Sequence, residues 1–304
     1  MKVLEIDDDK CNNCGECEKV CPSKLFTKLT EKNRHDKIYR LYFFDDPYDF
    51  CVKCGHCIAV CPTEAILYEE AEAPFNFEGT KKLENILPYE EMIKLLRLRR
   101  SMRVFKKEEI PKEKIEKVLE AMRYAPSASN RQNWRYTVIR DKNEITYLSN
   151  EIARFFKVAR RLLPLKYLIA PFLSKGARRR VLNPKSKIQL DKALQRMKNG
   201  EDIVFFDAPC VILLSSREYT NGLAENDAGI ALTYGMLAAQ SLGLGTCWIG
   251  FAQRRLQNKI KLRKHFKIQK GLNVHGVMIM GIPAVEYQRG PPRKDLKVNW
   301  FEKK

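Results

Sequence analysis

The alternation of apolar and polar positions divides the chain into helical and strand-like stretches. Residues 92–98 have amphipathic helical spacing, and so does a segment that starts at Pro111. Its apolar face consists of Ile115, Val118, Leu119 and Met122. Residues 227–245 are apolar on all sides, which predicts a long buried helix that ends at Gly243.

Short apolar runs predict strands between these helices. They are found at 134–139, 208–214, 246–250, 274–280 and 297–301. The run IYRLYFF (38–44) predicts a further strand, within a hairpin formed by the long connection 29–50.

The length of 304 residues predicts two domains. We expect a small domain at 1–75, a linker at 76–88 with Pro, Gly and mixed charge, and a larger domain at 89–304. The N-terminus lacks the apolar core of an export signal, and no apolar run is long enough to cross a membrane. We therefore expect a cytoplasmic protein, in which clustered thiols are metal ligands rather than disulfides.

Eight of the ten cysteines form an internal repeat offset by 40 residues. CNNCGECEKVCP (11–22) and CVKCGHCIAVCP (51–62) both follow C-x2-C-x2-C-x3-C-P. In this spacing three thiolates hold one cluster and the fourth reaches the other cluster. We assign one [4Fe–4S] cluster to a first cysteine set, Cys11, Cys14, Cys17 and Cys61, and another to a second cysteine set, Cys51, Cys54, Cys57 and Cys21.

Zinc is the alternative, because paired C-x2-C motifs also bind zinc, but two tandem four-cysteine repeats ending in C-P argue against it. The segment resembles bacterial two-cluster ferredoxins, which are β-α-β duplications. It differs from them in the long connection 29–50.

The charge is distributed unevenly. Residues 1–80 hold ten Lys/Arg and sixteen Asp/Glu, whereas the whole chain has a net charge of +19. Residues 151–200 hold 14 Lys/Arg against Glu151 and Asp191. No nucleic-acid-binding motif accompanies this charge, so we expect no nucleic-acid partner. A basic surface favours an anionic cofactor, an anionic substrate or an acidic redox partner.

Four segments, in order along the chain, resemble the nitroreductase family of FMN enzymes. They are RRSMRVF (99–105), APSASNRQNWRYTVI (125–139), GLGTCWIGF (243–251) and GIPAVEYQRGPPRKDL (281–296). The resemblance covers roughly 90–300 and implies an α+β fold with a mixed central sheet surrounded by helices. With the cysteine repeats, the whole chain resembles the ferredoxin–nitroreductase fusions of anaerobes.

The resemblance implies the residues that bind FMN, and their chemistry agrees with it. Cations and a hydroxyl suit the phosphate and ribityl end: Arg99, Arg100, Ser101, Arg103, Arg293 and Lys294. A loop of small residues and amides is expected to reach the flavin from the partner subunit: Pro126, Ser127, Ala128, Asn130 and Gln132.

A turn after the strand at 246–250 is expected to face the flavin. Backbone N–H groups of Ile249 and Gly250 correspond to the positions near flavin N5, and they would tune the reduced flavin. Cys247 and Trp248 are expected at the same edge, with Cys247 a packed thiol rather than a reactive one. Cys210 and His275 lie in apolar strands and are interpreted as core residues, with His275 a satisfied structural histidine.

Residues 151–205 form a basic insert, broken by Pro164 and Pro171. In the family, variable segments at this place cover the flavin, so our first interpretation is a lid. A membrane-surface segment at 152–180, gripping anionic lipid, is a second and disfavoured interpretation. A solvated helical hairpin packed on the core is the third.

These features together predict an iron–sulfur flavoenzyme that acts as a homodimer. Electrons would pass from a low-potential donor through the clusters to FMN, and on to a nitroaromatic, quinone or enone. The expected donor is ferredoxin or flavodoxin, with NAD(P)H as an alternative. An electron relay without its own turnover, and an FMN-consuming branch of the family, remain open.

Overall fold

A computed structural model describes residues 1–32, 38–75, 86–219 and 222–302. Residues 76–85 of the predicted linker lie outside this part. By its internal contacts the chain forms two units. The first comprises Met1–Ile86 with Pro126–Gln132, and the second comprises the remainder.

The first unit is a duplicated β-α-β arrangement. Its elements are β1 (Lys2–Ile6), α1 (Glu16–Val20), β2 (Phe26–Lys32), β3 (Ile38–Phe44), α2 (His56–Val60) and β4 (Ile66–Glu69). Strand β1 pairs antiparallel with β4, so the two ends of this module close on each other. Strands β2 and β3 pair antiparallel, which confirms the predicted hairpin.

The second unit is built on a four-stranded sheet of order β5-β6-β8-β7. The strands are β5 (Arg135–Ile139), β6 (Cys210–Arg217), β7 (Gly245–Trp248) and β8 (Leu272–Gly281). These strands pair antiparallel. Outside these strands, an isolated parallel bridge joins Ser101 to Thr246.

The second unit also contains the helices of the chain beyond residue 88. They are α3 (Tyr89–Leu98), α4 (Lys112–Arg123), α5 (Lys142–Leu162), α6 (Lys166–Ile169), α7 (Lys175–Leu182), α8 (Ser186–Lys198), α9 (Ala224–Ser241), α10 (Gly250–Gln257) and α11 (Ile260–His265). Buried residues of α4 and α9 pack on one face, and those of α5, α10 and α11 on the other. Since both faces are covered, β6 is an almost uninterrupted apolar run.

The basic insert is helical, and its prolines divide it as predicted. Short 3₁₀ turns at Leu163–Leu165 and Ala170–Phe172 contain Pro164 and Pro171 and separate α5, α6 and α7. Pro lacks the N–H that a continuing helix needs.

Two predictions about this unit are wrong. Helix α9 is not buried on all sides: Ile230 and Tyr234 are 38% and 41% exposed, because only one of its faces packs on the sheet. Residues 297–301 form no strand, and Trp300 and Phe301 are exposed. An apolar run therefore predicted burial at positions that this chain alone does not cover.

Candidate functional site

Two recesses in the first unit are lined by the two cysteine sets. One, of about 310 Å³, is lined by the whole first set together with Gly15, Tyr42 and Thr63. The other, of about 330 Å³, is lined by the whole second set together with Phe26, Phe44 and Gly55. The structure thus brings the fourth cysteine of each repeat to the three leading cysteines of the other. Four thiols around one recess fit the ligand set of a [4Fe–4S] cluster.

Backbone N–H groups already point at the sulfur atoms. The Leu25 N–H donates to Cys21 Sγ over 3.4 Å, and the Ala65 N–H donates to Cys61 Sγ over 3.2 Å. Each donor follows its cysteine by four residues, so the repeat extends to the hydrogen bonds. Such bonds stabilise negative charge on thiolates and tune a bound cluster.

The surroundings alter the acidity of the cysteine thiols. Burial raises the pKa of Cys57 to about 12, and it also raises the pKa values of Cys17 and Cys51. At Cys61 burial opposes ionisation, but hydrogen bonds from the N–H groups of Ala65 and Thr63 hold its pKa below the usual range. Cluster assembly must therefore displace protons from the buried thiols.

The connection between the repeats contributes residues that the sequence did not single out. Tyr42 is buried, and its hydroxyl lies so close to Gly15 that a methyl group there would be 2.6 Å from it. Asp46 accepts hydrogen bonds from the backbone N–H groups of Phe50 and Cys51, over 2.7 and 3.0 Å. Thus the return arm of the hairpin borders both cysteine loops.

In the second unit, the cationic segment 99–105 runs beside β7. Ser101 bridges to Thr246, and the Met102 N–H donates to the Thr246 carbonyl over 2.9 Å. Four residues farther along, Gly250 begins α10. Four residues of extended chain, at about 3.3 Å per residue, span about 13 Å between Thr246 and Gly250. This length suits an extended ligand with an anionic group at one end and a ring at the other.

The predicted cations are placed in different ways. Arg100 Nη1 donates to the carbonyls of Arg97 and Arg99 over 2.5 and 2.6 Å, so it also caps α3. A methyl group at Gly290 would lie 3.1 Å from Arg100 Nη2, which brings the segment before Arg293 and Lys294 to this arginine. Arg103 lies over the ring of Phe206, 5.8 Å from its centroid.

The turn after β7 combines a buried and an open residue. Ile249 is 8% exposed, and its N–H donates to the Val277 carbonyl over 2.7 Å, so this N–H is not free to face flavin N5 as expected. Gly250 is exposed, and a methyl group there would meet nothing within 4 Å. The first N–H groups of a helix have no partner within that helix, so the Gly250 N–H can serve a ligand.

The neighbours of this turn have structural contacts. Cys247 is 1% exposed and packs in the core, in agreement with a packed thiol, so only its backbone can face a ligand. Trp248 Nε1 donates to Gln253 Oε1 over 3.0 Å. These contacts fix the strand that leads into Ile249 and Gly250.

The Pro126–Gln132 loop belongs by its contacts to the first unit. Asn130 Nδ2 donates to the carbonyl of Lys53, which lies between the first two cysteines of the second set. Ser129, Asn130 and Gln132 all have positive φ, and the Ser127 hydroxyl accepts the Gln132 N–H over 3.0 Å. The loop thus has a defined turn conformation, with Asn130 directed at the Lys53 carbonyl.

His275 differs from its prediction as a satisfied histidine. It is 1% exposed, yet among the described residues neither ring nitrogen has a hydrogen-bond partner. The nearest ionic atom is Glu218 Oε2, 3.8 Å from Nε2. The pairing of β6 with β8 shifts register at this point: Leu214 lies opposite Gly276, and Ser215 lies opposite Val274. His275 is therefore the extra residue of a β-bulge.

Arg255 is a contact that sequence patterns did not indicate. Its guanidinium lies 3.8 Å from the ring centroid of Phe155 and 5.7 Å from that of Phe251. Burial lowers its pKa, and Nε has no hydrogen-bond partner in the described part of the chain. The cation joins α5, at the base of the basic insert, to α10.

Comparisons with known proteins identify both parts of the chain. The sequence model described as "Nitroreductase family" matches residues 96–282, and that described as "4Fe-4S dicluster domain" matches residues 10–65. A protein of Archaeoglobus fulgidus, provisionally named NADH dehydrogenase/NAD(P)H nitroreductase, is 26% identical over 199 residues. The match covers 65% of this chain and 88% of that protein.

Solved structures show the same fold. A nitroreductase with bound FMN from Bacteroides fragilis superimposes with a TM-score of 0.52 at 21% identity, covering 70% of this chain and 99% of that one. A nitroreductase with bound FMN from Desulfitobacterium hafniense also gives 0.52, at 22% identity, with 69% and 97% covered. Among the described residues, no helix has the length and apolar character needed to span a bilayer.

Proposed function

This chain belongs to the nitroreductase family, and on that premise we propose that it is an FMN-dependent oxidoreductase fed by two [4Fe–4S] clusters. Electrons would enter from an external low-potential donor and leave to an oxidised small organic molecule, of the nitroaromatic, quinone or enone class. The observation that carries this proposal is that one chain contains two four-thiol recesses and, after β7, the turn at Ile249 and Gly250 that corresponds to the flavin turn of the family.

The bound groups supply redox chemistry, in which clusters take single electrons and a flavin combines two for transfer to an acceptor. The chain's own residues bind and orient them. Arg99, Arg100, Ser101 and Arg103, with Arg293 and Lys294, would hold the phosphate and ribityl end.

The open amide of Gly250 would donate to the flavin ring edge, since a backbone N–H stabilises negative charge without a titrating side chain. The Ile249 N–H, which the resemblance also places near flavin N5, already donates to the Val277 carbonyl, so Gly250 alone would serve the flavin at this turn. Asn130 and Gln132, expected at the flavin from the family resemblance, stand in a loop whose own contacts are with the first unit.

We propose a homodimer, as the resemblance implies. Ile230 and Tyr234 on α9, and Trp300 and Phe301 near the C-terminus, are the apolar side chains that a second copy would cover. Ferredoxin or flavodoxin is the proposed donor, because such carriers are acidic and the second unit, called here the flavin-type unit, is basic.

Composition and reduction kinetics test this function. The protein purified without oxygen is expected to hold about eight irons and one FMN per chain. Reduced ferredoxin should bleach the flavin rapidly, and addition of a nitroaromatic or a quinone should sustain turnover.

A Cys14→Ala/Cys54→Ala double variant should retain FMN but lose ferredoxin-driven reduction. Cys210→Ala, which removes a cysteine outside both recesses, is the matched control and should retain it. Equal reduction by NADH in the wild type and the double variant would make the clusters dispensable and overturn the proposal. Flavin reduction without turnover would indicate a relay, and loss of FMN would indicate the FMN-consuming branch.

A further inference from the structure

The two cysteine sets, although related by the sequence repeat, differ in burial. In the second set Cys21 and Cys57 are buried, both 8% exposed. The first set has no buried member among its four cysteines, and its Cys14 is exposed. Reduction of a [4Fe–4S] cluster adds an electron to a group that is already negative with its four thiolates. A less solvated site opposes that added charge more strongly.

The sets also differ in the carboxylate that precedes the first cysteine. Asp46 places both carboxylate oxygens on N–H groups, Oδ1 on Phe50 and Oδ2 on Cys51 itself. The carboxylate before the first set belongs to Asp7, which accepts the N–H groups of Asp9 and Lys10. The negative charge of Asp7 is balanced by Lys10 Nζ, 3.5 Å away. The Cys11 N–H donates to the backbone carbonyl of Asp7 and not to its carboxylate.

Hydrogen bonds to sulfur are similar in the two sets except at Cys61. Each set receives one matched backbone bond, Leu25 to Cys21 and Ala65 to Cys61. Each also has a further contact. The Lys53 N–H lies 3.4 Å from Cys51 Sγ, and the Thr63 hydroxyl lies 3.7 Å from Cys61 Sγ. Cys61 additionally accepts the Thr63 N–H. Burial, charge and the additional donor at Cys61 therefore distinguish the sites, and a hydrogen bond to sulfur favours added negative charge on the first cluster.

We propose that the cluster held by the second set has the lower reduction potential of the two, and that the Asp46 carboxylate and the burial of Cys21 and Cys57 set this order. Each cluster accepts one electron from a one-electron donor. The first electron would reduce the cluster held by the first set. A second electron, supplied at a lower potential, would reduce the cluster held by the second set.

Asp46 is a positioning and tuning residue in this proposal, not a ligand. It lies in the connection 29–50, which is the feature that sets this module apart from short-linked two-cluster ferredoxins. The inference shares with the proposed function only the presence of two clusters. It is measured without any acceptor, so failure of turnover would leave it standing.

Potentiometric titration followed by electron paramagnetic resonance tests the order in the complete protein. Two reduction steps are expected in the wild type. Cys14→Ser should alter the higher-potential signal, and Cys54→Ser should alter the lower one. A single step for both clusters, or the opposite assignment, would overturn the proposal even if no other variant folds.

Asp46→Asn keeps an oxygen that can accept a backbone N–H and removes the charge. It should raise the lower potential and leave the higher one in place, with iron content unchanged at about eight per chain. Asp7→Asn is the matched control, and its effect should be smaller because Lys10 already balances that charge. An unchanged lower potential in Asp46→Asn would reject the role of this carboxylate.

Discussion

At the scale of single residues, two glycines at equivalent positions in the cysteine repeats have different surroundings. Gly15 and Gly55 both have positive φ, 72° and 74°, at the start of α1 and α2. A methyl group at Gly15 would lie 2.6 Å from the Tyr42 hydroxyl, whereas one at Gly55 would be in ordinary contact, 3.5 Å from Met1 Sδ. Both positions therefore need a residue that tolerates positive φ, but only Gly15 also needs the absence of a side chain.

Gly15→Ala should therefore be more harmful than Gly55→Ala. Both pay about 1–2 kcal/mol for an alanine in the left-handed region, but only Gly15→Ala also displaces Tyr42. Iron content and thermal unfolding under anaerobic conditions measure the difference. Adding Tyr42→Phe, which removes the hydroxyl, should partly restore the Gly15→Ala protein. Equal losses in the two alanine variants would show that Tyr42 does not constrain this loop.

These residues show the limit of inference from sequence at this scale. The spacing identified both glycines and all eight clustered cysteines, because a repeated motif encodes them locally. It gave no sign of Tyr42 or Asp46, since their positions follow from the return path of the hairpin. His275 was expected to be satisfied because most buried polar groups are, but no described side chain or backbone group reaches its ring nitrogens to form a hydrogen bond.

At the scale of elements, the base of the basic insert is tied to the helix that begins at the candidate flavin turn. Arg255 on α10 stacks on Phe155 of α5, and Phe155, Phe156 and Phe251 lie within 5.0–5.9 Å of one another by ring centroid. A cation over desolvated aromatic rings is worth about 2 kcal/mol. This cluster is expected to hold α5 against α10.

Replacing Arg255→Met keeps the apolar stem and removes the cation. Backbone amides of α5 near Phe155 and Phe156 should then exchange hydrogen faster, with stability reduced by about 1–2 kcal/mol. Arg254→Met, at the exposed neighbour on the same helix, is the matched control and should exchange at the wild-type rate. Exchange unchanged by Arg255→Met would mean that the apolar rings suffice to hold the two helices.

At the scale of the whole molecule, the positive charge is concentrated in the flavin-type unit. Residues 151–200 hold 14 Lys/Arg against two acids, and Arg178, Arg179 and Arg180 on α7 are exposed. Complementary charge accelerates the encounter with an acidic electron carrier, and salt screens it over about 10 Å at 0.1 M. The basic insert is therefore the surface where we expect the donor to dock.

Charge reversal at Arg178, Arg179 and Arg180 to Glu should slow electron transfer from reduced ferredoxin by about tenfold at low salt. The difference should shrink at high ionic strength. Reversal of three exposed lysines elsewhere, Lys117, Lys261 and Lys270, gives the same net charge and should slow the reaction less. Equal slowing by both triple variants would show that net charge, and not this surface, governs the encounter.

The sequence by itself determined which secondary-structure elements, cluster ligands and family segments this protein contains. Local periodicity encodes the helices and strands, and a repeated motif with fixed spacing encodes eight thiols. Four ordered segments indicate the flavin-type domain. Tertiary structure decided what surrounds these parts. It gave the two cysteine sets unequal burial and charge, directed Asn130 to the Lys53 carbonyl, and left one face of α9 exposed. Such contacts join residues distant in the chain, so packing determines them and local pattern does not.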